Sequence, residues 1–303
     1  MPKLSIPSVV ILFLLPMILG LQAGVVAEDQ TDIGTLIATR QLDSAEKVIV
    51  SQMMSKPQDP ELITFLAEVR LDQGRAPEAI VLLNDAQRLG GVTALRAHLS
   101  GLAESAAGRL DLAEPQFRSA IALDPNYAVA HYFLARLLYT RNRFEEAIAE
   151  SQRAIALSPG MVRAYENLGL CFEGKHDDRE AERWYLEAIH HDEASEHKTE
   201  WPMLDLATML IRTGRTAEAT PYLTKALALN PSNGQSLFEM GVLQEKSGDT
   251  QSALEKFREA IKVDTNLAGA YYHAARICQK LGRKEEAQQY FAKFKEVSEK
   301  KKH

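Results

Sequence analysis

In the stretch 234–267, Leu237, Met240, Gly241 and Gln244 fall at three-to-four spacing, and Leu254, Phe257 and Ile261 repeat that spacing beyond a break at Gly248. Such spacing marks one face of an α-helix, so the pattern predicts two helices joined by a turn. The same pair is written along nearly the whole chain. Ala45, Ala79, Ala113, Ala147, Ala181, Ala219, Ala253 and Ala287 stand 34 residues apart, except that the step from Ala181 to Ala219 is 38. Eight units follow, 26–59, 60–93, 94–127, 128–161, 162–195, 200–233, 234–267 and 268–301, with residues 196–199 inserted after the fifth.

Further columns keep the same period. Twelve residues before the alanine stand Ile33, Ala67, Gly101, Ala135, Gly169, Ala207, Gly241 and Ala275, small in every unit but the first. Seven residues after it stand Gln52, Ala86, Ala120, Ala154, Ala188, Ala226, Ala260 and Phe294. Small residues at fixed points let helices approach closely. Gly74, Gly108, Gly214, Gly248 and Gly282 fall five before the alanine, where one helix should give way to the next, and Pro57, Pro125, Pro159 and Pro231 fall twelve after it, in turn phrases.

With these columns the chain resembles a tetratricopeptide-repeat protein over essentially everything after its first 27 residues. The fifth unit carries the resemblance best, with Tyr165, Leu168, Gly169, Phe172, Ala181, Tyr185 and Ala188 at the family's positions, although Glu193 replaces its closing proline. The resemblance implies an all-α fold, an α-solenoid in which about eight helix-turn-helix units stack into a right-handed superhelix. Elementary energetics agrees with stacking: a helical hairpin of this length falls below the ~40 residues at which a lone core becomes viable, so each unit must bury its face on its neighbours.

Both ends depart from the pattern. Asp29 and Asp32 stand where packing residues would fall in the first unit, which suits a terminal cap. In the last unit Phe294 replaces the column alanine, with Tyr290 and Phe291 nearby. This apolar edge is expected either to be covered by its own charged side chains or to form a homodimer contact. Lys293, Lys295, Lys300, Lys301 and Lys302 suit the C-terminus of a helix.

Residues 4–27 carry no charge and follow the single cation Lys3; Ala23, Val25, Val26 and Ala27 then precede Glu28 and Asp29. This is the layout of a signal peptide cleaved after Ala27, with an uncleaved N-terminal membrane anchor as the alternative. The expected location is outside the cytoplasm, in a bacterial periplasm or secreted, or at the inner membrane if the segment is retained. A net charge of −6 supplies no basic field for phosphate backbones, so nucleic acid is not an expected partner.

Several groupings could carry chemistry. Gly169 to Lys175 spells the G-x-x-x-x-G-K of a phosphate loop, but His176 follows where Ser or Thr should hold magnesium, and Gly169 falls inside a helix of the repeat. His190, His191 and His197, with Asp192, Glu193 and Glu196, are the densest metal-ligand candidates, without the H-E-x-x-H spacing that would set two histidines on one helix face. Cys171 and Cys278 lie three units apart, too far for a bridge, and read as buried thiols. No catalytic grouping and no cofactor is expected, and the function expected is that of a non-enzymatic scaffold.

In the resembled family the first helices line a concave groove through the second, fifth, ninth and twelfth residues of each unit. Transferred to this sequence, those positions include Tyr132, Arg136, Tyr139, Arg163, Glu166, Trp201, Leu204, Phe238, Tyr272 and Arg276, with Asn167 adjoining. Tyr, Trp and Arg dominate interface energetics, so the expected partner is a protein or an extended peptide. The carboxylate clamp of chaperone-tail-binding members is absent: Asn167 occupies one clamp position, but Tyr132, Arg136 and Asp205 stand at others. A receptor for a small ligand, glycan or metal, using Trp201 and the His190 to His197 loop, is the alternative.

Overall fold

The computed structural model describes residues 28–195 and 198–300, with side chains described from residue 33. Every element among these residues is a helix, and the helices come in pairs. Two compact units divide the chain at Ser158 and Pro159.

The first unit contains α1 (Glu28–Ala38), α2 (Leu42–Met53), α3 (Pro60–Asp72), α4 (Ala76–Gly90), α5 (Ala94–Ala106), α6 (Leu110–Leu123), α7 (Ala128–Thr140) and α8 (Phe144–Leu157). Its core begins with Ile33, Ile37, Ala45, Ile49, Leu62, Leu66 and Val69, drawn from α1, α2 and α3. A second cluster joins Ala67 and Leu71 of α3 to Ala79 and Leu83 of α4 and to Leu99 and Ala103 of α5. Burial therefore passes from pair to pair, as expected of a hairpin too small to hold a core alone.

The second unit contains α9 (Val162–Gly174), α10 (Asp178–Glu193), α11 (Trp201–Arg212), α12 (Thr216–Leu229), α13 (Gly234–Ser247), α14 (Thr250–Val263), α15 (Ala268–Lys280) and α16 (Lys284–Lys300). Tyr185 and Ile189 of α10 pack with Met203, Leu206 and Leu210 of α11 and Leu223 of α12. Leu237 of α13 and Phe257 of α14 join Ala274 and Ile277 of α15 in a second cluster. The lead-in to α11 is tied down by Asp192, which accepts hydrogen bonds from the Thr199 amide at 3.0 and 3.2 Å.

Local chemistry sets the helix ends. Asp59 accepts from the amides of Glu61 and Leu62 at the start of α3, where Pro60 supplies a pre-set first residue, and Asn233 accepts from the Ser236 amide at 2.8 Å at the start of α13. Between the two helices of each pair, one residue adopts the left-handed conformation. Gly74, Gly108, Gly214, Gly248 and Gly282 do so at φ of 75, 75, 84, 88 and 75°, and the same place is taken by Arg40, Asn142 and His176 at 59, 58 and 61°.

The column of small residues is matched by what faces it. A Cβ on Gly101 would lie 2.6 Å from the Phe117 ring, one on Gly241 would lie 2.7 Å from Phe257, and one on Gly169 would run into Tyr185. Each glycine is the seat of an aromatic ring from the second helix of its own pair. Where the column holds Ala67 or Ala207, the corresponding residues are the smaller Leu83 and Leu223.

Candidate functional site

The candidate site is the set of groove positions on the first helix of each pair. In the first unit these positions are largely engaged within the protein. Glu61 and Thr64 of α3 hold Arg96, a fully buried arginine whose Nε donates to Thr64 Oγ1 at 3.0 Å, whose Nη1 donates to the Gly90 and Gly91 carbonyls at 3.1 and 3.0 Å, and whose Nη2 donates to Glu61. Such a charge is tolerable in the interior because each nitrogen has a partner.

Farther along the same stripe, Glu68 and His98 are buried, and desolvation favours the neutral form of each. Burial, then the nearby Asp72, raises the Glu68 carboxyl to about 7, while burial lowers His98 to about 3. The His98 ring lies 5.2 Å from Tyr127, 5.2 Å from Phe133 and 5.8 Å from Phe117, and its Nδ1 has no hydrogen-bond partner among the described residues. Glu68 and His98 were not singled out from sequence, although they occupy the ninth and fifth positions of their pairs. The signal that named Tyr132 and Arg136 would have found them.

Tyr132 is only 5% exposed, its ring set edgewise on Phe133 at 5.0 Å. Arg136 is half-buried and lies 5.8 Å from the Tyr132 ring centre and 6.0 Å from that of Phe133. Tyr139, also half-buried, leans on Phe144 at 5.9 Å. The structure thus brings Tyr132 and Arg136 together, with the tyrosine as floor and the guanidinium as the accessible group.

In the second unit Arg163 and Trp201 are half-buried, while Glu166 (9% exposed) and Asn167 (2% exposed) are buried. Asn167 Nδ2 lies 3.9 Å from Cys171 Sγ. Leu204, 2% exposed, belongs to the core with Tyr185 and Leu206, and Trp201 packs against that same cluster. Phe238 is half-buried between Phe257 at 5.8 Å and His273 at 5.7 Å. Tyr272, 39% exposed, and the exposed Arg276 lie open, the guanidinium 5.8 Å from the ring centre. Burial pushes the Asp205 carboxyl well up, and the Glu166 and Glu173 carboxylates push it further.

Some arginines off the stripe are held in ion pairs. Arg143 bonds Glu146 and, at 2.8 Å, both oxygens of Glu114, and Arg215 bonds Glu182 at 2.6 Å as well as Glu218. On the stripe, Arg136, Arg163 and Arg276 have no carboxylate in ion-pair reach among the described residues.

The other sequence candidates are placed as follows. Gly169 to Gly174 is the second half of α9, so its amides are spent in the helix and form no phosphate-binding loop. His190 is exposed and 5.6 Å from His191, whose ring stacks on Tyr165 at 4.4 Å; His197 lies outside the described residues. No three metal-ligating side chains converge among the described residues. Cys171 and Cys278 are free and buried, and burial pushes the Cys171 thiol up to about 12. None of the described helices is long and apolar enough to cross a membrane, and the leader-like segment 1–27 lies outside the described residues.

Comparison with known proteins agrees with this architecture. One tetratricopeptide-repeat family model matches residues 98–162 and 204–268, and a second matches 268–301, together more than half of the chain. The chain belongs to the tetratricopeptide-repeat family. Proteins of this family are protein–protein interaction scaffolds, and the fold is generally non-enzymatic.

Among curated relatives, the chain is 23% identical over 278 residues to the Protein CTR9 homolog of Arabidopsis thaliana, covering 78% of this chain and 25% of that protein. It is 25% identical over 146 residues to a probable UDP-N-acetylglucosamine–peptide N-acetylglucosaminyltransferase SPINDLY of Hordeum vulgare, covering 46% of this chain and 15% of that protein. The chain therefore spans a quarter or less of these two relatives. Among solved structures, a tetratricopeptide repeat protein from Parabacteroides merdae superposes with a TM-score of 0.65 at 15% identity, covering 82% of this chain and 97% of that one.

Proposed function

We propose that the protein is a non-enzymatic scaffold that holds a protein or extended peptide partner along the groove positions of its first helices, within an exported or envelope complex. The observation that carries this reading is the state of the stripe arginines. Arg136 and Arg276 each lie against a tyrosine ring and lack the carboxylate partners that Arg143 and Arg215 have elsewhere. An arginine on an aromatic platform, free to donate to a carboxylate or a backbone carbonyl, is the group that anchors interfaces. Export is supported by the uncharged run 4–27 and the small residues before Glu28.

Replacing Arg136, Trp201 and Arg276 together by Ala should abolish capture of partners from cell-envelope extract, with helical circular dichroism retained. The matched variant Arg153→Ala/Arg179→Ala, which alters arginines off the stripe that likewise have no ion pair among the described residues, should capture normally. Unchanged capture by the first variant would sink the scaffold reading. For export, N-terminal sequencing of the mature protein should begin at Glu28; a chain that retains residues 1–27 in the cytosolic fraction contradicts it.

A further inference from the structure

Two second-helix rings, Phe117 and Phe257, each lie between rings of their own pair and of the next. Phe117 of α6 lies 5.8 Å from His98 of its own pair and 6.0 Å from Phe133 of the next. Phe257 of α14 lies 5.8 Å from Phe238 of its own pair and 5.1 Å from His273 of the next. Both rings are essentially fully buried. In α16 the equivalent residue, Phe291, has Tyr272 of its own pair at 6.3 Å and, among the described residues, no ring on its far side. It is only half-buried.

Two further departures mark this face. Ala275 stands in place of the glycine on which Phe117 and Phe257 sit. Phe294 stands where Ala86, Ala120, Ala154, Ala188, Ala226 and Ala260 are fully buried, and its ring lies 5.4 Å from Tyr272. A helix cannot approach a Phe as closely as it approaches those alanines. The face is therefore shaped for something shallower than another repeat.

We propose that the face formed by Tyr272, Arg276, Phe291 and Phe294 docks an acidic segment of a partner protein that inserts an aromatic side chain beside Phe291. The aromatic requirement comes from the molecule itself, since rings at the places of Phe133 and His273 close the equivalent sites. The acidic requirement comes from charge. Arg276 has no carboxylate within reach, and exposed Lys295, one helical turn after Phe291, has none either among the described residues. An acidic side chain would complete the Arg276–Tyr272 stack as a charge-assisted hydrogen bond. The proposal rests on the scaffold reading and names the partner chemistry at one end of the stripe.

The test uses the full chain and fluorescent short peptides carrying one Trp among Asp and Glu, against matched peptides with Lys for the acids or Ala for the Trp. The acidic Trp peptide should bind at least about tenfold tighter than either match, weakening as salt rises, and Arg276→Glu should remove that preference. Arg153→Glu should leave it intact. Because Arg276 is exposed, its substitution leaves the core untouched, and circular dichroism verifies folding. Equal binding of all three peptides, or binding insensitive to Arg276→Glu, overturns the proposal. So does a concentration-dependent dimer in sedimentation that Arg276→Glu dissolves, which would assign the face to a second copy of the chain. If Arg136→Ala/Trp201→Ala abolishes envelope-partner capture while Arg276→Glu leaves peptide binding unchanged, the scaffold reading stands and the terminal site alone falls.

Discussion

The turn inside each helical pair depends on one residue. Position fifteen of every pair adopts positive φ, and five of the eight are glycine, which enters that region without penalty. The five glycines were legible in the sequence as helix breaks; Arg40 and His176 were not, because neither residue type marks a left-handed backbone, and Asn142, a type that tolerates it, was not singled out. They are left-handed because the repeat demands it. For a residue with a Cβ this costs about 1–2 kcal/mol, less for Asn, and some of that is offset because Gly has more unfolded-state freedom to lose. His176 is exposed, so its side chain offers little compensation. His176→Gly should stabilise the protein by about 0.5–1 kcal/mol and Asn142→Gly by less, read as midpoint shifts in urea. If His176→Gly lowers the midpoint, the strain assigned to this column does not exist.

At the scale of the element, Gly101, Gly169 and Gly241 in the first helix are answered by an aromatic ring and Ala67 and Ala207 by a leucine, with Ala275 and Phe291 as the exception. The sequence displays the small column, and in the fifth unit it displays Tyr185, but that Gly169 and Tyr185 form one object is a property of contact. The pairs Ala67 with Leu83 and Ala207 with Leu223 supply the alternative solution. Gly169→Ala should therefore cost about 1–3 kcal/mol through overpacking against Tyr185. Tyr185→Leu alone should also destabilise, leaving space and losing the hydrogen bond from Tyr185 to Glu173 at 2.9 Å. The double substitution should be less harmful than the sum, a coupling that a double-mutant cycle in urea would measure; strict additivity would disprove it.

The groove stripe was legible in a weaker sense. Repeat position says which side chains share a line, but not which of them a neighbouring ring covers. Tyr132 is buried against Phe133, and Leu204 belongs to the core, whereas Tyr272 and Arg276 lie open. Glu68 and His98 fall on the same line, so repeat position reaches them, and only the choice of Tyr, Trp and Arg passed over them.

Across the whole molecule, the buried ionisable groups are divided unequally. The first unit holds Glu68, raised to about 7, and His98, lowered to about 3; the second holds Glu239, raised to about 7 by burial against the opposing effects of Gln235 and Lys246, together with the raised Asp205. A raised carboxyl binds its proton more tightly folded than unfolded. Its contribution is complete below the unfolded value of 4.5 and is lost as pH rises to about 7. His98 acts oppositely: the unfolded ring takes up a proton below 6.5 and the folded one does not, so its contribution is lost as pH falls from 6.5 toward 3.

As pH rises from 5 to 6.5, Glu68 and His98 act in opposite directions in the first unit, whereas in the second the raised carboxyls of Glu239 and Asp205 both lose stability. Amide exchange, corrected for intrinsic rates, should therefore show protection in α11 and α13 weakening from pH 5.5 to 7.5 more than in α3 and α5. Glu239→Gln, which keeps the shape without the charge, should recover most of the loss in α13, by as much as about 2 kcal/mol. If the Glu239→Gln variant keeps the pH profile of its parent, then Glu239 gives up its proton without cost, and its burial is relieved by local opening.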